Sequence, residues 1–240
     1  MSQQVELACR AADRGSFDRA VAVCLQVDGA RTEYAACRSI LGSVYRQVGR
    51  HDLAGPFDAA GLAAEVQDPV GLSMCLLGLA ADAVGAGDAA GARAALGRAE
   101  EGLAAVRAWH WASRWIDPWL THAWVRAEVH LLEGDAAGAA AVLEPFADVR
   151  PRATPGTRWP HERAKTLLFL GVAQRCAGDP GAAVPRLRAA VGISAEEGLS
   201  PLLVPAFEQL SQLDPAAAQP FSAACARART VLEAHRPPGL

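Results

Sequence analysis

Asparagine is absent from this sequence, and Lys165 is the only lysine among its 23 basic residues. That bias reflects genome composition and carries no functional message. Isoleucine occurs three times, at Ile40, Ile116 and Ile193, whereas alanine occurs 53 times in 240 residues. A chain so poor in a good strand former and so rich in the best helix former points to an all-helical fold and away from an α/β enzyme. No run of five or six basic residues occurs and the formal net charge is −3, so the counterion release that drives nucleic-acid binding has no source. Nor is there a window of eighteen uninterrupted apolar residues, or a basic start followed by an apolar run and a small-residue cleavage site. The expectation is a cytoplasmic chain with no membrane and no nucleic-acid partner.

Chemistry-bearing motifs are equally scarce. The six cysteines (Cys9, Cys24, Cys37, Cys75, Cys176, Cys225) are scattered singly with no C-x-x-C pair, which predicts reduced, unpaired thiols acting as small buried hydrophobes. Among the six histidines (His51, His110, His122, His130, His161, His235) there is no H-E-x-x-H and no pair four apart, so no metal site is predicted. His122 and His130, eight apart, read as helix histidines. The one G-x-G, Gly85-Ala-Gly87, is followed by Asp88 and lies between predicted helices, where a phosphate would meet repulsion instead of a strand-to-helix turn. No G-x-S-x-G elbow is present. A non-enzyme without cofactor is expected.

What the sequence does contain is a repeat. Five segments align without gaps: Gly15 to Ala20, Gly49 to Ala54, Gly87 to Ala92, Gly134 to Ala139 and Gly178 to Ala183. Each sets a glycine five residues before an alanine, between two helix-periodic apolar stretches. The physical reading is a helical hairpin: glycine ends the first helix in a left-handed conformation, Asp or Ser after it caps the second, and the alanine lets the two backbones approach. The spacing predicts helices near 3–14, 17–28, 31–48, 51–66, 69–85, 88–107, 118–132, 135–148, 161–177 and 180–197. Pro69, Pro118 and Pro160 fall at or just before three of the starts. A sixth pair, near 201–213 and 215–235 with Asp214-Pro215 at its turn, lacks the signature, as suits a terminal cap. Residues 151–160, with three prolines, form the one long loop, and residues 236–240 are expected to be disordered.

Leu41-Gly42, Tyr45, Gly49 and Ala54, and again Leu170-Gly171, Gly178, Ala183, Leu187 and Ala190, resemble the tetratricopeptide repeat (TPR) family. The glycine spacings of 34, 38, 47 and 44 residues run longer than the family period of about 34. The resemblance implies a right-handed superhelix of about six hairpins: five over residues 1–198 and a capping pair over 199–235. It also implies a concave groove lined by first helices at positions ten, six and three residues before each glycine. These are Val5, Cys9, Ala12; Ser39, Ser43, Arg46; Leu77, Ala81, Val84; Trp124, Glu128, Leu131; and Leu168, Val172, Arg175. With Lys165 at its side, such a groove suits an amphipathic helix or an extended peptide of acidic character. The Lys and Asn pattern with which chaperone-binding members grip a carboxylate is missing.

Five of six tryptophans, Trp109, Trp111, Trp115, Trp119 and Trp124, fall within sixteen residues. Two readings stay open: large rings filling the junction between the third and fourth hairpins, or an aromatic recognition pocket beside Arg107, Arg114 and Arg126. Two functions stay open as well. One is a non-catalytic scaffold holding a protein or peptide in the groove, with Ser39, Ser43, Arg46, Trp124, Glu128, Lys165 and Arg175 as candidate contacts. The other is a sensor module like the TPR effector domains of bacterial transcription regulators, which the Gly-Asp turns of the later repeats resemble.

Overall fold

The computed structural model of the chain describes residues 3–66, 68–106, 117–147 and 159–239, and every regular element among the described residues is helical. In order these are α1 (Gln3–Asp13), α2 (Phe17–Leu25), α3 (Tyr34–Gln47), α4 (His51–Leu62), α5 (Pro69–Gly85), α6 (Ala89–Val106), α7 (Pro118–Leu132), α8 (Ala136–Ala147), α9 (Trp159–Cys176), α10 (Pro180–Glu197), α11 (Ser200–Leu213), α12 (Pro215–Ala218) and α13 (Ser222–Ala234). A 3-10 turn, Gln219–Phe221, joins the last two. The sequence pattern predicts one helix there. Pro220 breaks it, having no N–H to donate and a ring that crowds the preceding turn.

The repeat signature has the local role its chemistry dictates. Gly15, Gly49, Gly87, Gly134 and Gly178 all have φ between +75° and +81°, and each follows the first helix of a pair. The five alanines that follow them, Ala20, Ala54, Ala92, Ala139 and Ala183, are all 0% exposed. A bulkier side chain at these points holds the paired helices apart. Asp68, Asp117, Asp179 and Asp214 accept N–H bonds at the starts of α5, α7, α10 and α12, each just before a proline. This combination of an Asx cap with a proline at the first helical position ends the preceding loop sharply. Ser16, expected to cap α2, makes no such bond.

Helices pack on their sequence neighbours and, one further on, first helix on first helix: α1 on α3, α3 on α5, α5 on α7, α7 on α9, and α9 on α11. Among the described residues the core follows that order as four apolar clusters, each bridging a junction. Phe17, Leu41 and Val44 anchor the first; Leu77, Leu96 and Val129 join α5 and α6 to α7. Trp124, Leu143 and Leu170 join α7 and α8 to α9, and Leu187, Leu203 and Leu210 join α10 to α11. A buried leucine stabilises by roughly 1.5–3 kcal/mol, so each junction is held by several such terms.

The C-terminus returns to the N-terminus. Leu232 of α13 packs against the first cluster, and its Cδ2 lies 2.7 Å from where a Cβ on Gly15 would stand. Beyond α13, Asp18 N–H donates to the His235 carbonyl at 3.3 Å, and Tyr45 Oη–H donates to the Pro238 carbonyl at 2.8 Å. Pro237 is buried. Residues 236–239 of the tail expected to be disordered are therefore placed, because a proline pair loses little entropy on docking and presents carbonyls with no competing N–H. Ending the chain after Arg236 is expected to lower stability by about 1 kcal/mol, the worth of one such bond, or roughly 2–4 °C at this chain length. Calorimetry checks this, and an unchanged midpoint means that the tail adds nothing.

The cysteines are all free, with Cys176 exposed and the other five buried. Cys24 and Cys37, on neighbouring helices, both belong to the first apolar cluster. No helix among the described residues is long and apolar enough to cross a membrane.

Candidate functional site

Ionic groups collect where first helices meet, and they start from an acid in the core. Asp58 stands one helical turn after Ala54 on α4, on the same apolar stripe, and its side chain is 0% exposed. A carboxylate so placed needs a cation and room. Arg46 of α3, its side chain 13% exposed, supplies the cation through Nη1 at 2.5 Å from Asp58 Oδ2. The same nitrogen reaches Asp82 Oδ2 of α5 at 3.1 Å, and Asp82 Oδ1 lies 3.0 Å from His51 Nδ1 at the start of α4. Room comes from two glycines: a Cβ on Gly42 would stand 2.5 Å from Asp58 Oδ2, and one on Gly78 would meet it as closely. The Leu-Gly glycine of the second repeat is thus needed by the neighbouring helix and not by its own backbone. Burial pushes the Asp58 carboxyl up to about 7, with the Arg46 charge pulling the other way and Asp82 adding to the rise. Its Oδ1 is buried with no hydrogen-bond partner.

A second group gathers across α7 and α9. Glu128, on α7, is half-buried. Burial raises its pKa above the ordinary carboxyl value, and the charges of Lys165, Arg46 and His51 oppose the rise. Those three come from α9, α3 and α4, so charges of both groups act on Glu128. Lys165 Nζ lies 4.5 Å from the centre of the Trp124 ring and 5.4 Å from that of Phe169, a cation–π placement. Trp124 stands edge-on to His161 with centroids 6.3 Å apart. His161 Nε2 in turn approaches Asp13 Oδ1 of α1 at 3.4 Å.

Of the residues expected on the groove, those ten before each glycine face the core: Val5, Ser39, Leu77, Trp124 and Leu168 are all buried, as are Cys9 and Ala12. Trp124 is 5% exposed and its indole N–H donates to Thr166 Oγ1 at 3.0 Å. Ser43, Ala81, Val84, Leu131 and Val172 are half-buried. Ser43 Oγ accepts from Gln47 Nε2 at 3.3 Å. Arg175 Nη1 donates to Gln212 Oε1 of α11 at 2.8 Å. Neither arginine expected to steer an acidic partner therefore stands alone: Arg46 is shared by two carboxylates and Arg175 bridges α9 to α11. Of the tryptophan cluster, Trp119 is half-buried, its ring edge-on to His122 at 6.0 Å. Trp109, Trp111 and Trp115 lie outside the described residues.

Sequence reasoning missed Asp58, Asp82, His51, Asp13 and His161. Asp58 was detectable, since an acid on the apolar stripe of a helix calls for a buried partner. The other four have no such signal, because their partners lie on helices distant in sequence. Among the described residues no group of three or more His, Cys, Asp and Glu side chains is arranged to hold a metal ion. No protein-family model matches the chain, and no curated protein matches it either.

Proposed function

We propose that this chain is a non-catalytic binding module of TPR-like architecture, six helical hairpins wound as a right-handed solenoid, whose first helices present the binding surface. The observation that carries the reading is the convergence of Arg46, His51, Asp82, Glu128, Lys165 and His161 from α3, α4, α5, α7 and α9 on one region. Folding alone gains little from gathering charges, because their desolvation offsets most of the attraction. Recognition of a partner benefits from them through orientation and selectivity. The positive-φ glycines, the fully buried alanines and the first-helix packing order support the solenoid.

The partner in this reading is a protein segment or peptide. A second reading, a sensor module for a small molecule, is favoured by the return of α13 and the tail onto the α1–α2 turn and Tyr45, which bounds the interior at the ends of the chain. The test is affinity capture from a lysate of the source cells with three baits: the native chain, Ser43→Arg at the Glu128 register of α3, and Arg98→Glu on exposed α6. The expected outcome is a partner held by the native and Arg98 baits and lost, tenfold or more, by the Ser43 bait. A partner held equally by all three overturns the assignment of the surface.

A further inference from the structure

The segment that follows α13 is held in a way that another chain could copy. Tyr45 of α3 and Phe57 of α4 stack with ring centroids 5.3 Å apart and planes 15° from parallel. Phe57, together with Val48 and Leu232, packs against the first core cluster, so the stack is fixed from below. The Tyr45 hydroxyl donates to the Pro238 carbonyl at 2.8 Å, Pro237 is buried, and the His235 carbonyl accepts from Asp18 N–H at 3.3 Å. Both bonds end on backbone carbonyls, the only hydrogen-bonding group that a proline offers. Aromatic-lined grooves take up extended proline segments through the same combination of ring faces and donors to carbonyls, because such a segment is stiff before it binds.

The tail fills only part of this place. Beside it a cleft of about 520 Å³ is lined by Val48, Arg50, Leu232, Glu233, Arg236 and Gly239, within the range of roughly 300–1,000 Å³ that ligand clefts span. One net hydrogen bond corresponds to a docked-to-free ratio of roughly five, so the tail is exchangeable.

We propose that the Tyr45–Phe57 surface is a recognition site for a proline-proline segment of another protein, which the chain's own residues 236–239 occupy until that segment displaces them. The partner's prolines take the places of Pro237 and Pro238, and its continuation enters the cleft beside Val48 and Leu232. A second copy's tail has no advantage over the resident one, which meets the site at high effective concentration. A foreign segment does have one, since it gains contacts in the cleft that the tail leaves unmade. The inference does not rest on the charged groups of the first helices.

The test uses the full chain, native and with Pro237→Asp, which sets a charge at a buried position and so frees the tail. The probes are dye-labelled Ala-His-Arg-Pro-Pro-Gly, capped at both ends, and the same peptide with alanine for both prolines. Binding is read by fluorescence anisotropy and by the amide shifts of Val48, Arg50 and Leu232. The proline probe is expected to bind the Pro237→Asp chain at least tenfold tighter than the alanine probe does. It should also bind that chain about fivefold tighter than the native one, the ratio set by the resident tail. Adding Tyr45→Phe, which keeps the ring and removes the donor, is expected to weaken the proline probe about fivefold with helical content unchanged. If that double variant does not fold, the comparison of the two probes on Pro237→Asp decides alone. Equal binding of the two probes, or equal affinity for the native and Pro237→Asp chains, overturns the proposal. A dimer of the native chain in light scattering that Pro237→Asp abolishes assigns the site to a second copy's tail and overturns the foreign partner.

Discussion

Replacing Trp124 by alanine is expected to cost about 3–5 kcal/mol of stability, as truncations of large buried aromatics do. At this chain length that lowers the melting temperature by roughly 6–20 °C. The ring is the centre of the cluster that joins α7 and α8 to α9. Its loss leaves a cavity between three helices that cannot all move inward at once. It also strands Thr166, whose hydroxyl accepts the indole N–H while donating to the Glu162 carbonyl at 2.9 Å, and it takes the aromatic face from Lys165. Trp124→Phe separates these effects, since it keeps most of the volume and removes the hydrogen bond, worth about 1 kcal/mol. Denaturant titration followed by circular dichroism checks both. A cost below 1 kcal/mol for the alanine variant means that the ring is not part of the core, and the pocket reading of the tryptophan region returns.

The second large effect belongs to Arg46. Arg46→Ala is expected to cost about 3–5 kcal/mol at alkaline pH, because it leaves the Asp58 carboxylate buried without its cation. The penalty depends on pH in a defined sense. Burial holds the Asp58 carboxyl at about 7 in the fold, against an ordinary value of 3.8. Since the folded value lies above the unfolded one, the fold binds the proton more tightly than the coil does. The contribution of this carboxyl to stability therefore falls as pH rises from about 4 to about 7, and is level beyond. Arg46 matters most where Asp58 is ionised, so the gap between the native chain and Arg46→Ala should be widest above pH 7 and narrow toward pH 5. Asp58→Asn should remove that part of the pH dependence. Urea titrations at pH 5, 7 and 8.5 measure it, and a penalty that is small and level across this range would show a pair no stronger than a surface ion pair.

The two sites differ in how far the sequence reveals them. Trp124 is legible as one ring of a dense cluster, but its neighbours Thr166 and His161 lie some forty residues away, and nothing in α7 alone says which face of the helix α9 covers. Arg46 is legible as a first-helix residue near a glycine turn. Its role inverts in the fold, where it is a core counter-ion to Asp58 and Asp82 instead of a charge offered to a partner. Glu128 is legible by register alone; the charges of Lys165, Arg46 and His51 that act on it come from three other helices.

The sequence by itself determined everything that acts within a few residues. Helix over strand follows from the alanine content. The turns follow from glycines that must take positive φ, the helix starts from Asp-Pro pairs, and the close helix pairs from alanines five residues after each glycine. Such effects are local, and their free energies are set before distant segments meet. Only the tertiary structure decided the return of Leu232 and Pro238 to the first helices, the cradle that Gly42 and Gly78 make for Asp58, and the cations whose charges act on Glu128. Each of these depends on which groups from separate helices come within a few ångströms of one another, and on the water they exclude. At that range burial and charge are set by the assembled neighbours and no longer by the residue's own type.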